Sequence, residues 1–285
     1  MSALVSINGK ITSSKEASIS VFDRGFLYGD SIYEVTQTFN RKIFKLEDHF
    51  ERLLYSAMKM DMPLDFSMED LEKDLIAVLD KLNTSNAYIR IVVTRGEGEI
   101  GLDPALATKN NVIIIVKELP PNPSWWYTDG VHMIISHTMR NPKNAIDPRI
   151  KSGNYLNNVM AMNEAKKAGA FDAIMLNGKG EITEATTSNI WVIKDGEIIT
   201  PPIKAGLLGG ITRKSLLKIA AENSYNVSER NFDEDFLKSA DECFLTSTTK
   251  LLVPITKVDN QSIGKGKPGL MTLELLELYK KTNGI

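Results

Sequence analysis

The period of apolar and polar positions changes several times along the chain, and each change predicts an element. Val5–Ile11 reads as two short β-prone runs around Asn8-Gly9, a two-residue turn signal that predicts a hairpin. Ile32–Phe39 reads as a strand that turns at Asn40-Arg41-Lys42. From Leu46 to Lys59, the residues Phe50, Leu53, Leu54, Ala57 and Met58 fall on one helical face. Arg52 lies about half a turn from that stripe, so periodicity assigns it to solvent. A second helix is predicted over about Met68–Lys81, then a strand pair, Ala87–Thr94 and Asn111–Lys117. The Arg95–Pro104 loop between these strands carries Gly96, Gly98 and Gly101. However, Glu97 and Glu99 repel anions and no helix start follows, which predicts a lid-like loop and not a phosphate cradle. Leu119–Tyr127 reads as a proline-stiffened linker whose Trp125-Trp126-Tyr127 run packs onto something, either sealing a seam or touching a ligand.

Beyond the linker an extended segment, Met133–Ser136, leads through turns to a helix carrying Leu156, Val159, Met160, Ala161, Met162 and Ala165, capped near Ala168-Gly169. A meander follows: Ala173–Leu176, Ile182–Ala185, Asn189–Ile193 and Glu197–Thr200. Asn177-Gly178 and Asp195-Gly196 read as its two-residue turns. A helix begins after Gly209-Gly210, a strand runs Cys243–Thr246, and a closing helix spans about Leu270–Lys280.

With 285 residues and a net charge of −2, the chain is no polycation for nucleic acid, and its length suggests two domains. The boundaries fall at 1–119, a linker at 120–130, and 131–285. Cys243 is the single cysteine, so no intrachain disulfide forms, and His49, His132 and His137 make no close metal-ligand pattern. No apolar run is long enough to span a membrane, and Met1–Val5 opens without a signal-peptide hydrophobic region. A cytoplasmic, metal-free protein without nucleic-acid or membrane partners is expected.

Candidate chemistry starts at Lys151, in Arg149–Asn158, where an extended segment gives way to a helix. Flanked by Ser152, Gly153 and Asn154, it has no carboxylate neighbour in sequence. It reads either as a solvated surface lysine or as a desolvated amine able to form a Schiff base with an aldehyde cofactor. Gly209-Gly210-Ile211-Thr212-Arg213 can present backbone N–H groups and a hydroxyl to a phosphate at a helix mouth, or can be an ordinary helix start. Ser247-Thr248-Thr249 is a second donor cluster that can equally bond its own backbone. Glu184, with no basic residue in its motif, is either a solvated strand end or a buried carboxylate requiring a protonated partner such as a pyridinium nitrogen.

Taken together and in order, Asp23-Arg24-Gly25 to Tyr28-Gly29-Asp30, His49–Leu53, Lys151–Leu156, Glu184–Ile190, Gly209–Arg213 and Ser247-Thr248 resemble the fold-type IV pyridoxal-phosphate enzymes. These comprise branched-chain aminotransferases, D-amino-acid aminotransferases and aminodeoxychorismate lyases. The resemblance implies an α/β (α+β) fold with a smaller N-terminal α/β domain and a larger C-terminal domain holding a β-barrel-like sheet. It implies pyridoxal 5'-phosphate as cofactor and Lys151 as the Schiff-base lysine that moves the proton. Glu184 would pair with the ring nitrogen and Tyr155 with the phenolic oxygen. Arg52, Gly210, Ile211, Thr212, Thr248, Ser188 and Asn189 would hold the rest of the cofactor, its phosphate above all. Tyr28, Tyr33, Arg90 and Thr249 would line the substrate site of a homodimer, with Tyr28 and the 95–104 loop reaching the partner. An Arg-x-His clamp of the D-amino-acid enzymes is replaced by Ile100-Gly101-Leu102, and Tyr88-Ile89-Arg90 is similar to the branched-chain group. Tyr33–Gln37 looks closer to the D-amino-acid strand. The implied reaction carries an amino group from a branched-chain L-amino acid to 2-oxoglutarate. D-amino-acid or (R)-amine transamination, a β,α-lyase, and a cofactor-binding protein without turnover are the alternatives.

Overall fold

The computed structural model describes residues 3–285, so Met1 and Ser2, where the N-terminal reading begins, lie outside the described residues. Contacts divide the chain into two compact units. One holds residues up to Pro121 together with Ile150–Asn154, and the other holds Asn122–Arg149 and Tyr155–Ile285. This differs from the sequence partition at two points: the aromatic run already belongs to the second unit, and the lysine segment returns to the first.

The first unit runs β1 (Ala3–Ile7), β2 (Lys10–Ser13), α1 (Arg24–Tyr28), β3 (Ser31–Phe39), β4 (Lys42–Ile43), α2 (Leu46–Lys59), α3 (Met68–Leu82), β5 (Ala87–Thr94) and β6 (Asn111–Glu118). Its strands form one sheet in the order β2-β1-β6-β5-β3-β4. Ile7 pairs with Lys10 across Asn8-Gly9, both at positive φ, the hairpin expected from the sequence. Leu53, Leu71, Leu75 and Val78 of the helices pack on Ile89, Ile91 and Val93 of β5. Each fully buried aliphatic side chain there contributes about 2 kcal/mol of transfer free energy.

The face of α2 departs from the expectation. Leu54 and Met58 are exposed, whereas His49, Phe50, Leu53, Ser56 and Ala57 are buried. Apolar periodicity missed this because His49, Arg52 and Ser56, spaced i, i+3 and i+7, make a polar stripe whose first two members bond Glu34 of β3 and whose third bonds the Arg52 carbonyl and the Lys151 N–H.

The second unit runs α4 (Trp125–Thr128), β7 (Val131–Ile135), α5 (Leu156–Lys167), β8 (Asp172–Leu176), β9 (Ile182–Ala185), β10 (Asn189–Lys194), β11 (Glu197–Thr200), α6 (Ile211–Glu222), β12 (Val227–Glu229), α7 (Glu234–Lys238), β13 (Glu242–Ser247), β14 (Leu251–Val258), β15 (Gln261–Ser262) and α8 (Leu270–Asn283). Pairing of β9 with both β8 and β10 closes the ring β10-β13-β14-β7-β8-β9 into a barrel, as the resemblance implied. Val131, Met133, Ile190, Leu245 and Val253 are among its core residues.

Asp195-Gly196 makes the expected two-residue turn, but the β8–β9 connection does not. It spans residues 177–181; Gly180, not Gly178, takes positive φ, and the Asn177 side chain accepts from the N–H groups of Lys179 and Glu181. α4 is helical where a stiff linker was expected, and Trp126 and Tyr127 pack against the barrel core. α5 buries Asn158, Ala161 and Ala165 and leaves Leu156, Val159 and Met160 exposed, so its apolar stripe does not face its own unit's core. Among the described residues no helix is long and apolar enough to cross a membrane, and no cluster of His, Cys, Asp or Glu could hold a metal ion.

Candidate active site

Lys151 is fixed through its backbone. The Tyr33 N–H donates to the Lys151 carbonyl at 2.9 Å, the Gly153 N–H to the Ser31 carbonyl at 2.7 Å, and the Lys151 N–H to Ser56 Oγ at 3.2 Å. Ser152 bridges Ile32 in antiparallel fashion, so the segment adds a short strand-like edge to the start of β3. Gly153 suits this close approach, since a Cβ there would sit 2.2 Å from Ser31 Oγ and force that side chain to move. Gly153→Ala should therefore lower stability by about 1–3 kcal/mol in denaturant unfolding; an unchanged midpoint would show that the edge yields easily. The Lys151 Nζ lies 4.3 Å from the centre of the Tyr33 ring, and the Arg90 guanidinium lies 4.2 Å from the same ring. Three of the predicted site residues are thus brought together on one aromatic ring.

Beside this stack is a buried ion network. Glu34 accepts from Arg52 Nε and Nη2, both at 2.7 Å, and from His49 Nδ1 at 2.7 Å. Burial pushes the Glu34 carboxyl upward, but the Arg52 charge and the bonds from Arg52 and His49 outweigh it and hold it at about 2. Burial pulls His49 downward, and the charges of Arg52 and Lys151 add to this against the opposing pull of Glu34. An ionised carboxylate can only accept, so the His49 proton sits on Nδ1, and among the described residues its buried Nε2 has no hydrogen-bond partner. Arg52 is therefore not the solvent-facing residue that periodicity predicted. Tyr28 ends α1, and its hydroxyl accepts from the Gly101 N–H at 3.0 Å, tying it to the 95–104 loop of its own chain.

In the second unit, Glu184 is buried near the end of β9. Arg140 Nε donates to it at 2.8 Å and the Leu208 N–H at 3.1 Å. Its sequence neighbourhood held no cation, so Arg140, 44 residues away, was invisible there. Arg140 Nη1 also donates to Asn157 Oδ1 at 3.3 Å. Ser188 closes a tight turn by accepting from the Ala185 N–H, and Asn189 pairs with Glu184 across the two strands. Tyr155 directly precedes α5.

The mouth of α6 has the properties of an anion site. Gly210 is its N-cap and supplies no side-chain bond, so the N–H groups of Ile211 and Thr212 point outward from the positive end of a 12-residue helix. Thr212 is 2% exposed, and among the described residues its hydroxyl has no hydrogen-bond partner. A Cβ on Gly210 would sit 2.0 Å from Asn189 Oδ1, so the helix start and Asn189 are in close contact. Arg213 turns away, donating to the Pro201 carbonyl and to Glu229.

Thr248 and Thr249 lie on the turn between β13 and β14. Asn122 Nδ2 donates to the Thr249 carbonyl and the Tyr127 hydroxyl to the Lys250 carbonyl, both at 2.9 Å. The aromatic segment thus has a definite task within its unit, which is to clamp this turn. Sequence reasoning also missed Glu34, His49 and Ser56; Glu34 and His49 lay inside recognised motifs, and only their burial gives them a role.

This architecture is that of a known family. A model of class IV aminotransferases matches residues 31–258, and the chain belongs to that family. Over 274 residues it is 36% identical to a Methanocaldococcus jannaschii protein assigned provisionally as a branched-chain-amino-acid aminotransferase, covering 96% of this chain and 94% of that one. It is 35% identical to the D-alanine aminotransferase of Bacillus licheniformis, covering 94% and 93%. A solved branched-chain amino acid aminotransferase with pyridoxamine 5'-phosphate, from the source abbreviated T.th., superposes with a TM-score of 0.94 at 30% identity, covering 99% and 94%. The fold is fold-type IV, and the cofactor of this family is pyridoxal 5'-phosphate. The α6 mouth fits its phosphate, because the orphaned Thr212 hydroxyl and the uncapped N–H groups need the acceptors that a phosphate provides.

Proposed function

We propose that the chain is a transaminase that takes the amino group of a branched-chain L-amino acid and delivers it to 2-oxoglutarate. The observation that carries this reading is Lys151, whose backbone is sewn to β3 and whose amine rests on the Tyr33 ring that Arg90 also contacts. When bound, pyridoxal phosphate supplies the electron sink. The N–H groups of Ile211 and Thr212, the hydroxyls of Thr212 and Thr248, and Arg52 hold its phosphate, with Gly210, Ser188 and Asn189 shaping the cradle. Glu184, oriented by Arg140, keeps a proton on the ring nitrogen, and Tyr155 bonds the phenolic oxygen. Lys151 would be the base that accepts the proton from the substrate Cα. A fixed amine is suited to this because proton transfer by a positioned base contributes about 10²–10⁴-fold. Tyr28, Tyr33, Arg90 and Thr249 receive the substrate.

Branched-chain donors are favoured because Ile100-Gly101-Leu102 offers apolar side chains where a cationic clamp would select otherwise. D-amino-acid transamination is the second reading, favoured by Val35 and Gln37 on β3. Supplying L-leucine or D-alanine with 2-oxoglutarate separates them: glutamate formed from L-leucine supports the first, and product only from D-alanine supports the second. A coloured holoprotein that transfers no amino group with any L- or D-amino acid overturns both.

The reading extends to a cytoplasmic homodimer. Phe22, Phe26, Ile100 and Leu102 are exposed, Leu102 at 80%, and they are tied together because Arg24 donates to the Gly101 and Leu102 carbonyls. A patch of that character normally meets a partner. Leu102→Asp with Phe26→Asp should halve the mass measured by sedimentation, and a wild-type protein that sediments as a monomer would refute the dimer.

A further inference from the structure

Lys250 carries no role in the reading above, yet its surroundings are unusual for a lysine. It follows Thr248 and Thr249 on the clamped turn, and the next residue, Leu251, holds a positive φ of 59°. A bulky residue rarely adopts that conformation, which costs about 1–2 kcal/mol, so the turn is over-determined by its neighbours. The Lys250 Nζ donates to Thr187 Oγ1 at 3.0 Å and reaches Ser188 Oγ at 3.5 Å, two hydroxyls of the Glu184–Asn189 motif. The Phe171 ring lies 5.6 Å from the same Nζ. Among the described residues no carboxylate pairs with this ammonium. Burial pulls it below the usual lysine range against the attraction of the Asp172 carboxylate, and the charge of Lys166 adds to the pull of burial. The residue is half-buried, and the oxygens that accept from its ammonium are neutral hydroxyls. Hydroxyls can accept from the ammonium and donate onward at once, so Thr187 and Ser188 can share an incoming anion with it.

We propose that Lys250 is a specificity-determining residue whose ammonium binds an oxyanion brought into the site, either the second carboxylate of a dicarboxylic substrate or the phosphate of the cofactor. The proposal rests on the transaminase reading, since that reading is what brings either anion to the turn. A charge-assisted hydrogen bond is worth about 1.5–3 kcal/mol, or roughly ten- to a hundredfold in affinity.

The test compares holoprotein with Lys250→Met and Lys250→Arg, titrating unreactive glutarate and 4-methylpentanoate by calorimetry and following cofactor loss on dialysis. A substrate role predicts that Lys250→Met weakens glutarate roughly ten- to a hundredfold, leaves 4-methylpentanoate and cofactor retention unchanged, and is partly rescued by Lys250→Arg. A phosphate role predicts faster cofactor loss with the ratio of the two acids unchanged. Equal weakening of both acids without cofactor loss, or no change in any of the three, overturns the proposal. Both acids bind without turnover, so a failure of the transaminase reading, seen as absent amino transfer, is distinguishable from a failure of this one.

Discussion

Lys151→Ala is expected to cut amino transfer by about 10²–10⁴-fold while leaving the protein folded, because the segment is held by backbone bonds that alanine retains. Only the side chain over Tyr33 is lost. The second readout is chemical. Borohydride treatment of the wild-type holoprotein should fix the cofactor covalently to the peptide containing Lys151, and the variant should release all of it on denaturation. Cofactor still fixed to the variant would place the reactive amine elsewhere and remove the basis of the functional reading.

The largest effect on stability is expected at Glu34. Its carboxylate is fully buried and serves Arg52 and His49 together, so Glu34→Ala leaves a guanidinium without its counter-charge, at a cost of about 3–5 kcal/mol. Glu34→Gln keeps the shape and should cost less. A shift from the ordinary 4.5 to about 2 is worth roughly 3 kcal/mol of folding free energy, because each pKa unit corresponds to about 1.4 kcal/mol. The folded carboxyl is the stronger acid, so this contribution is complete above pH 4.5 and is lost as pH falls towards 2. His49 acts in the same direction. It is held neutral below its ordinary 6.5, and it begins to oppose folding as pH drops under that value. Denaturant unfolding between pH 7 and pH 3 should show a stability loss in the wild type that Glu34→Gln largely lacks; parallel curves would show that the network does not control acid sensitivity.

Local chemistry made part of the fold legible in the sequence. Asn8-Gly9 and Asp195-Gly196 encode their turns in two residues, and most of the longer strands announce themselves by composition, whereas β12 and β14 do not. Asn177-Gly178 misled because the side chain of Asn177 organises a longer loop and hands the left-handed position to Gly180. The face of α2 misled for a different reason. A count of apolar residues assigns no burial to His49 and Arg52, whereas the carboxylate that draws them inward lies on β3. The exposed stripe of α5 shows the converse, since apolar spacing there marks a helix face without saying what covers it. In the candidate site, Lys151, Glu184 and Thr212 stood out through motif order, while Arg140 and Lys250 did not. Their meaning depends on residues 44 and 62 positions away, a separation that no local pattern spans.

The chain changes unit after Pro121, after Arg149 and again after Asn154, so the five residues around Lys151 are an excursion from one folding unit into the other. Neither half can be excised as a continuous fragment with its chemistry intact. A polypeptide beginning at Asn122 would include the lysine but lack the strand that gives it an address, and one ending at Pro121 would keep the strand with nothing to hold. Assembly of the reactive amine must therefore wait until synthesis has passed Asn154, long after the sheet that receives it has emerged.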